Sequence, residues 1–146
     1  MYRLHESLGY RLTYAARLNE RRFEARLAEH GLTRLMWCVL CGLEYEALSR
    51  PSDIAEFIGV DRTAISRCLK QMEGRGLIER TAAEGDARAR SICATNAGRN
   101  ALAPATQAAQ ENAAFWNDKL TGGDRIALLR ALDCLTEQDD EPLTGI

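Results

Sequence analysis

Apolar residues recur at helical spacing along much of this chain. The first helix is predicted over residues 3–29, with apolar positions at Leu4, Leu8, Leu12, Ala15, Phe23 and Leu27. A second predicted helix runs from Thr33, a natural cap, to Leu48, and its run LMWCVLCGL indicates burial on more than one side. Ser49 can cap a short third helix that has Pro51 in its first turn and ends at Gly59.

A fourth helix follows Asp61, which is a favourable cap residue. Its apolar positions repeat at i, i+3, i+4 and i+7 and predict an inner face made of Ile65, Cys68, Leu69 and Met72. The same spacing turns a row of basic and hydroxyl side chains outward: Arg62, Thr63, Ser66, Arg67 and Lys70.

The next stretch changes to a strand pattern. LIERTA and RSICAT are short and β-compatible, and the polar turn between them contains Gly85, so a β-hairpin is predicted. Thr95 can cap a helix that reaches Lys119, in which Pro104 should cause a kink or a split. A sixth helix is predicted over residues 123–137, burying Ile126, Leu129, Leu132 and Leu135.

Charge is distributed unevenly over the 146 residues. The formal net charge is −2, yet the segment from Arg62 to Arg90 carries seven basic and four acidic residues. An electropositive segment on an acidic body suits a face that meets phosphate, and the alternative is a solvated surface. The chain has no apolar run of about 20 residues and no signal-peptide core, which predicts a cytoplasmic protein without a membrane partner.

The composition contains little that suggests catalysis. There are two histidines and five cysteines, and the common hydrolase, nucleotide-binding and zinc motifs are missing. We therefore expect no enzyme activity, no cofactor and no metal site.

The order of elements predicts a mainly α-helical fold with a small β-hairpin wing, that is, a winged helix-turn-helix. The second helix of such a unit enters the major groove of double-stranded DNA, where Arg binds guanine and Ser or Thr contacts bases or phosphates. Arg62, Thr63, Ser66, Arg67 and Lys70 are therefore the candidate DNA-binding residues. A basic hairpin that docks an acidic protein partner is the alternative from another class.

The segments SDIAEFIGVDRTAISRCLKQMEGRGLIER and GDARARSICATNAG resemble the MarR family of bacterial transcriptional regulators. The most specific match is D-x-R before the second strand followed by T-x-x-G: Asp86, Arg88, Thr95 and Gly98. The resemblance implies that Arg88 enters the minor groove and that Asp86 holds it, with Arg90 as a further basic wing residue. The alternative is an exposed turn with a local ion pair.

The resemblance covers nearly the whole chain and implies a homodimer. We expect a single domain over residues 1–146, with a winged helix-turn-helix at 33–95, dimerisation helices at 1–30 and 96–138, and an acidic tail at 139–146. The long flanking helices carry more apolar surface than a winged unit can cover, which also favours self-association. The predicted function is a sequence-specific repressor on a pseudo-palindrome with half-sites about 10 bp apart.

Many members of this family bind small ligands in a cleft between the dimer helices and the winged unit. By position, the resemblance suggests an aromatic wall with one cation, suited to a small aromatic or anionic effector: Tyr10, Tyr14, Arg17, Trp37 and Cys41. The alternative is that these aromatic residues form core or dimer interface.

The cysteines suggest a further alternative, a thiol-based redox-responsive regulator of the same fold. Cys38 and Cys41 form a C-x-x-C within a predicted helix, which suits core packing better than a thiol enzyme or a thiol or metal sensor. Cys68 is expected to face inward and Cys93 to point away from the core as the most exposed thiol. The family's organic-hydroperoxide sensors use a cysteine in the first helix, and residues 1–30 contain none.

Overall fold

The computed structural model describes residues 1–83, 86–137, 139 and 141–146, and the side chains of residues 82–90 lie outside the described part. It confirms the mainly helical fold with an antiparallel hairpin. The chain begins with one 3₁₀ turn, Leu4–Glu6. The other elements are α1 Leu8–Ala28, α2 Arg34–Glu44, α3 Pro51–Ile58, α4 Arg62–Gly74, β1 Ile78–Ala83, β2 Asp86–Ala94, α5 Asn96–Asn117 and α6 Gly122–Thr136.

The core is assembled around α2, as the dense apolar run predicts. Met36, Val39 and Leu40 of this helix are fully buried. They pack in one cluster with apolar residues from α1, α3, α4, α5 and both strands. Burial of about 25 cal/mol per Å² of apolar surface makes this cluster the main source of stability. It holds α4 and the hairpin in a fixed relation.

Several helix boundaries differ from the sequence prediction. The second helix is predicted to reach Leu48, but α2 ends at Glu44. The helix predicted over residues 3–29 is interrupted at Ser7, whose extended backbone (φ −71°, ψ 138°) ends the 3₁₀ turn and caps α1. Its Oγ accepts a hydrogen bond of 3.3 Å from the amide of Tyr10. The third helix is not capped by Ser49: its N-cap is Arg50, and the carbonyl of Ser49 accepts a bond of 2.8 Å from the amide of Ile92.

Of the two outcomes predicted for Pro104, a kink or a split, the structure excludes the split. α5 runs without interruption through Pro104. The proline removes one intrahelical donor. Leu102, Ala105 and Ala108 are buried on either side of Pro104, and their packing compensates for the missing hydrogen bond.

The C-terminal part of the chain differs most from expectation. Every residue of α6 is exposed, including the four apolar residues predicted to be buried, which are 37–63% exposed in the single chain. Residues 141–146 return to the turn between α3 and α4, where Leu143 pairs with Val60. None of the helices in the described ranges is long and apolar enough to cross a membrane.

Candidate nucleic-acid interface

The turn between α3 and α4 sets the direction of the candidate recognition helix. Gly59 ends α3 in the left-handed conformation (φ 78°, ψ 30°), which favours glycine. Asp61 then caps α4, because its Oδ1 accepts a hydrogen bond of 2.7 Å from the amide of Ala64. The tight turn and the cap fix where α4 begins.

The two faces of α4 separate packing from recognition. Ala64, Ile65, Cys68, Leu69 and Met72 are buried against the core. The opposite face is exposed along its length and presents the five residues selected from the sequence: Arg62, Thr63, Ser66, Arg67 and Lys70. These side chains offer three cations and two hydroxyl groups on one helix face. Their contact with DNA remains a prediction.

Two arginines counted in the basic segment serve the fold instead. The guanidinium of Arg75 donates to the carbonyl of Gly31 and contacts Sδ of Met36, which ties the end of α4 to the loop before α2. Arg80 on β1 donates a bond of 3.1 Å to Glu73 on α4. The other three basic residues of the segment whose side chains are described, Arg62, Arg67 and Lys70, all lie on the exposed face of α4.

The hairpin is antiparallel and is attached to α4 at its base. Its register pairs Ile78 with Ala94 and Ala82 with Arg90, with an irregularity between Ala82 and Ala83. Ile78, Ile92 and Ala94 are buried and anchor the base in the core. The predicted wing residues Asp86, Arg88 and Arg90 have side chains outside the described part of the structure, so their roles remain predictions.

The T-x-x-G half of the motif has a structural role. Oγ1 of Thr95 accepts a bond of 3.1 Å from the amide of Gly98 and donates one of 2.6 Å to the carbonyl of Gly76. It thus caps α5 and ties it to the loop before β1. A Cβ on Gly98 would lie 2.1 Å from the carbonyl oxygen of Leu77, so only glycine fits there.

The five predicted ligand residues fall into separate groups in the single chain. Tyr10 and Tyr14 stack on α1 with ring centroids 6.0 Å apart. Trp37 packs edge-on against Phe23 at 5.1 Å and its Nε1 donates a bond of 3.5 Å to Thr106. Cys41 lies partly buried against the core, and Arg17 is exposed on α1. One chain therefore does not bring all five together, and their role in ligand binding remains untested.

A different aromatic and cationic cavity lies between α1 and α5, and sequence reasoning missed it. Its volume is about 410 Å³. The guanidinium carbon of Arg22 and Nζ of Lys119 lie 3.7 and 4.5 Å from the ring centroid of Phe115. Its lining residues are Leu18, Arg21, Arg22, Phe115, Trp116 and Lys119. The signal was the adjacent Phe115 and Trp116 at the end of a helix, opposite paired arginines.

The thiols near the core are poorly suited to redox chemistry. Burial, together with the neighbouring Cys38, raises the pKa of Cys41 to about 12 and that of Cys68 to about 11. Burial also raises the pKa of Cys38. Because the thiolate is the reactive form, these three groups are weak nucleophiles at neutral pH.

The most exposed cysteine is Cys134 on α6, not Cys93 as predicted. Cys93 is half-buried, with Sγ 3.6 Å from Oε1 of Glu79. Burial and this carboxylate raise the pKa of Cys93. In the described ranges, no group of three or more His, Cys, Asp or Glu residues is arranged to hold a metal ion.

Comparison with solved structures supports the same interpretation. CouR, described as a transcriptional repressor bound to a 23-mer DNA duplex, is 31% identical, with 92% of this chain and 95% of that chain covered and a TM-score of 0.78. BpsR of Bordetella bronchiseptica (19% identity, 95% and 99% covered, TM-score 0.84) and MarR of E. coli in complex with operator DNA (22%, 88% and 92%, 0.78) share the fold. No curated protein matched the sequence.

The fold, the exposed face of α4 and the similarity to known regulators define this protein as a winged helix-turn-helix DNA-binding transcription regulator. The MarR family model matches residues 32–89, from the start of α2 into the wing. The chain belongs to the MarR family. Members of this family are transcription regulators and not enzymes.

Proposed function

We propose that the protein is a repressor that binds a pseudo-palindromic DNA operator as a homodimer. The observation that carries the proposal is the exposed face of α4, where three cations and two hydroxyl groups stand on a helix whose other face is locked in the core. Such a helix fits the major groove of B-DNA. Two copies related by a twofold axis read half-sites about 10 bp apart.

Each segment of the chain has a separate role in this proposal. Residues 33–95 form the DNA-binding unit, while residues 1–30 and 96–138 form the dimerisation helices. Arg67, together with Arg62, Thr63, Ser66 and Lys70, enters the major groove and contacts bases and phosphates. In the wing, Arg88 enters the minor groove, held by Asp86, and Arg90 adds a phosphate contact.

Selection of bound duplexes from a random library tests this function. Purified, reduced protein at physiological salt should enrich a palindrome with half-sites about 10 bp apart. If no sequence is enriched and binding shows no steep dependence on salt, either the basic hairpin serves an acidic protein partner or an effector must bind first. Repression itself is tested by a reporter gene downstream of the selected operator, which should be less active when the protein is present.

The dimer is supported by apolar surface that the single chain leaves uncovered. α6 exposes five large apolar side chains, and Leu4 and Leu8 at the other end of the chain are 53% and 60% exposed. A soluble monomer rarely presents a contiguous apolar stripe of this kind. A second copy covers it symmetrically. The apolar residues of α6 are Ile126, Leu128, Leu129, Leu132 and Leu135.

An anionic aromatic effector is the second part of the proposal. CouR is described as bound to p-coumaroyl-CoA, and regulation of DNA binding by BpsR is attributed to 6-hydroxynicotinic acid. In this chain two surfaces combine aromatic rings with cations: the cavity lined by Arg22 and Phe115, and the predicted set of Tyr10, Tyr14, Arg17, Trp37 and Cys41. Both suit a carboxylate on an aromatic ring.

Operator release in the presence of hydroxycinnamates, their CoA thioesters and hydroxylated pyridine carboxylates tests the effector. Arg17→Ala and Arg22→Ala variants then separate the two surfaces. The variant at the effector site should require a higher effector concentration while binding the operator normally. If no compound of this class causes release, the ligand is not an anionic aromatic molecule.

A further inference from the structure

The last residues of the chain are attached to the helix-turn-helix. The amide of Leu143 donates a bond of 2.9 Å to the carbonyl of Gly59, and the amide of Asp61 donates one of 2.7 Å to the carbonyl of Leu143. Together these bonds form a parallel bridge between Leu143 and Val60. The segment is therefore fixed at the turn that begins α4.

The same segment lies against residues that we assign to DNA. Arg62 lines a cavity of about 820 Å³ together with Asp139, Glu141 and Leu143. Further along α4, Arg67 shares a cleft with Thr144. The docked segment thus borders the first residue of the recognition helix and also the arginine in its middle.

The C-terminal segment places acidic residues close to Arg62. Asp139 and Glu141, both acidic, line the same cavity as Arg62. DNA carries one phosphate charge per about 1.7 Å of helix axis, and in the proposed function it approaches the same arginine. Negative charge at this cavity repels the phosphates.

The attachment is weak enough to be reversible. The side chain of Leu143 remains 59% exposed, so its burial adds little. Two backbone hydrogen bonds, and the partial burial of Ile146 against the core, are what hold the segment. A net contribution of about 1 kcal/mol per bond allows the docked and released forms to exchange.

We propose that residues 141–146 compete with DNA for the helix-turn-helix, and that operator binding requires their release. The proposal rests on the function proposed above. If the docked form predominates by about ten to one, it weakens operator affinity about tenfold, because only the released fraction binds.

Leu143→Pro tests the competition in the full-length chain. Proline removes the amide that bonds to Gly59 and leaves every charge in place. Leu143→Ala is the matched control, because it keeps the amide and loses only an exposed side chain. We expect Leu143→Pro to bind the selected operator about tenfold more tightly, measured by fluorescence anisotropy, and Leu143→Ala to stay within twofold of the parent.

A double variant, Asp139→Asn with Glu141→Gln, separates charge from attachment. It should bind several-fold more tightly at low salt, and the gain should shrink as salt is added, because exposed charges are screened. If both Leu143→Pro and the double variant bind like the parent, the competition is overturned while the proposed function stands. If the parent and all variants bind no duplex, both proposals fall.

Hydrogen exchange of the DNA-free protein provides a readout that does not depend on DNA. The amide of Asp61 should be protected in the parent and in Leu143→Ala, and should exchange faster in Leu143→Pro. Equal exchange of Asp61 in all three proteins would show that the segment is not docked in solution, which also overturns the proposal.

Discussion

The amide of Gly98 donates a hydrogen bond of 3.1 Å to Oγ1 of Thr95, at the point where the hairpin passes into α5. The backbone of Gly98 lies so close to the carbonyl of Leu77 that a Cβ would be 2.1 Å from its oxygen and 3.2 Å from Cδ2 of Leu40. Two of the four motif residues therefore shape the base of the wing, and the roles of the other two, Asp86 and Arg88, remain predictions.

Gly98→Ala should destabilise the protein by about 3 kcal/mol or more, because the obstructing atom belongs to the backbone and cannot rotate away. Urea unfolding followed by circular dichroism measures the change. Gly9→Ala is the matched control, since its Cβ would meet nothing within 4 Å and α1 should gain slightly in stability. Equal stability of Gly98→Ala and the parent would contradict the close packing.

Arg67→Ala should relax operator specificity at one major-groove position and cost about 1–3 kcal/mol on the preferred base. Competition binding with single-base operator variants measures this. Arg3→Ala removes the same charge at an exposed site far from α4 in sequence and should leave the preference unchanged. A loss of equal size on every sequence would make Arg67 a phosphate contact.

Arg88→Ala should weaken binding and reduce the preference for A·T pairs at the operator flanks, because a narrow A·T-rich minor groove attracts a guanidinium most strongly. Arg88→Lys keeps the charge and should recover part of the affinity. The readout is affinity for operators with A·T-rich and G·C-rich flanks. Unchanged affinity would remove Arg88 from the interface.

Leu129→Asp should convert the proposed dimer to a monomer at micromolar concentration, because it places a charge within an apolar stripe that a second copy would have to desolvate. Arg130→Gln, also exposed on α6, is the control and should remain dimeric. Sedimentation equilibrium gives the mass, and operator affinity should fall with dissociation. A parent protein that is monomeric throughout would contradict the dimer.

The sequence predicts those elements whose stability is local. The cap at Asp61 and the inner face of α4 follow from spacing alone, and the structure has both. The sequence does not predict side-chain contacts between distant residues. Arg75 and Arg80 count as DNA-binding charge in the sequence, but in the structure they bind Gly31 and Glu73. The pairing of Leu143 with Val60 joins residues 83 positions apart, and neither periodicity nor charge indicates it.

Thiol labelling separates a ligand-responsive regulator from a redox-responsive one. At pH 7.5, a thiol reagent should modify Cys134 first and Cys41 and Cys68 only slowly, since Cys134 is exposed and burial disfavours the other two thiolates. Rapid modification of Cys41 or Cys68 at neutral pH, with loss of operator binding, would favour the redox-responsive regulator instead.

The raised pKa values also predict that the stability of the folded protein falls above pH 9. The folded state keeps Cys41 protonated. In the unfolded chain the thiols ionise near pH 9, so the unfolded state gains relative stability until the folded thiol ionises near pH 12. In urea unfolding at stepped pH, Cys41→Ala should therefore show a shallower decline in stability between these pH values than the parent.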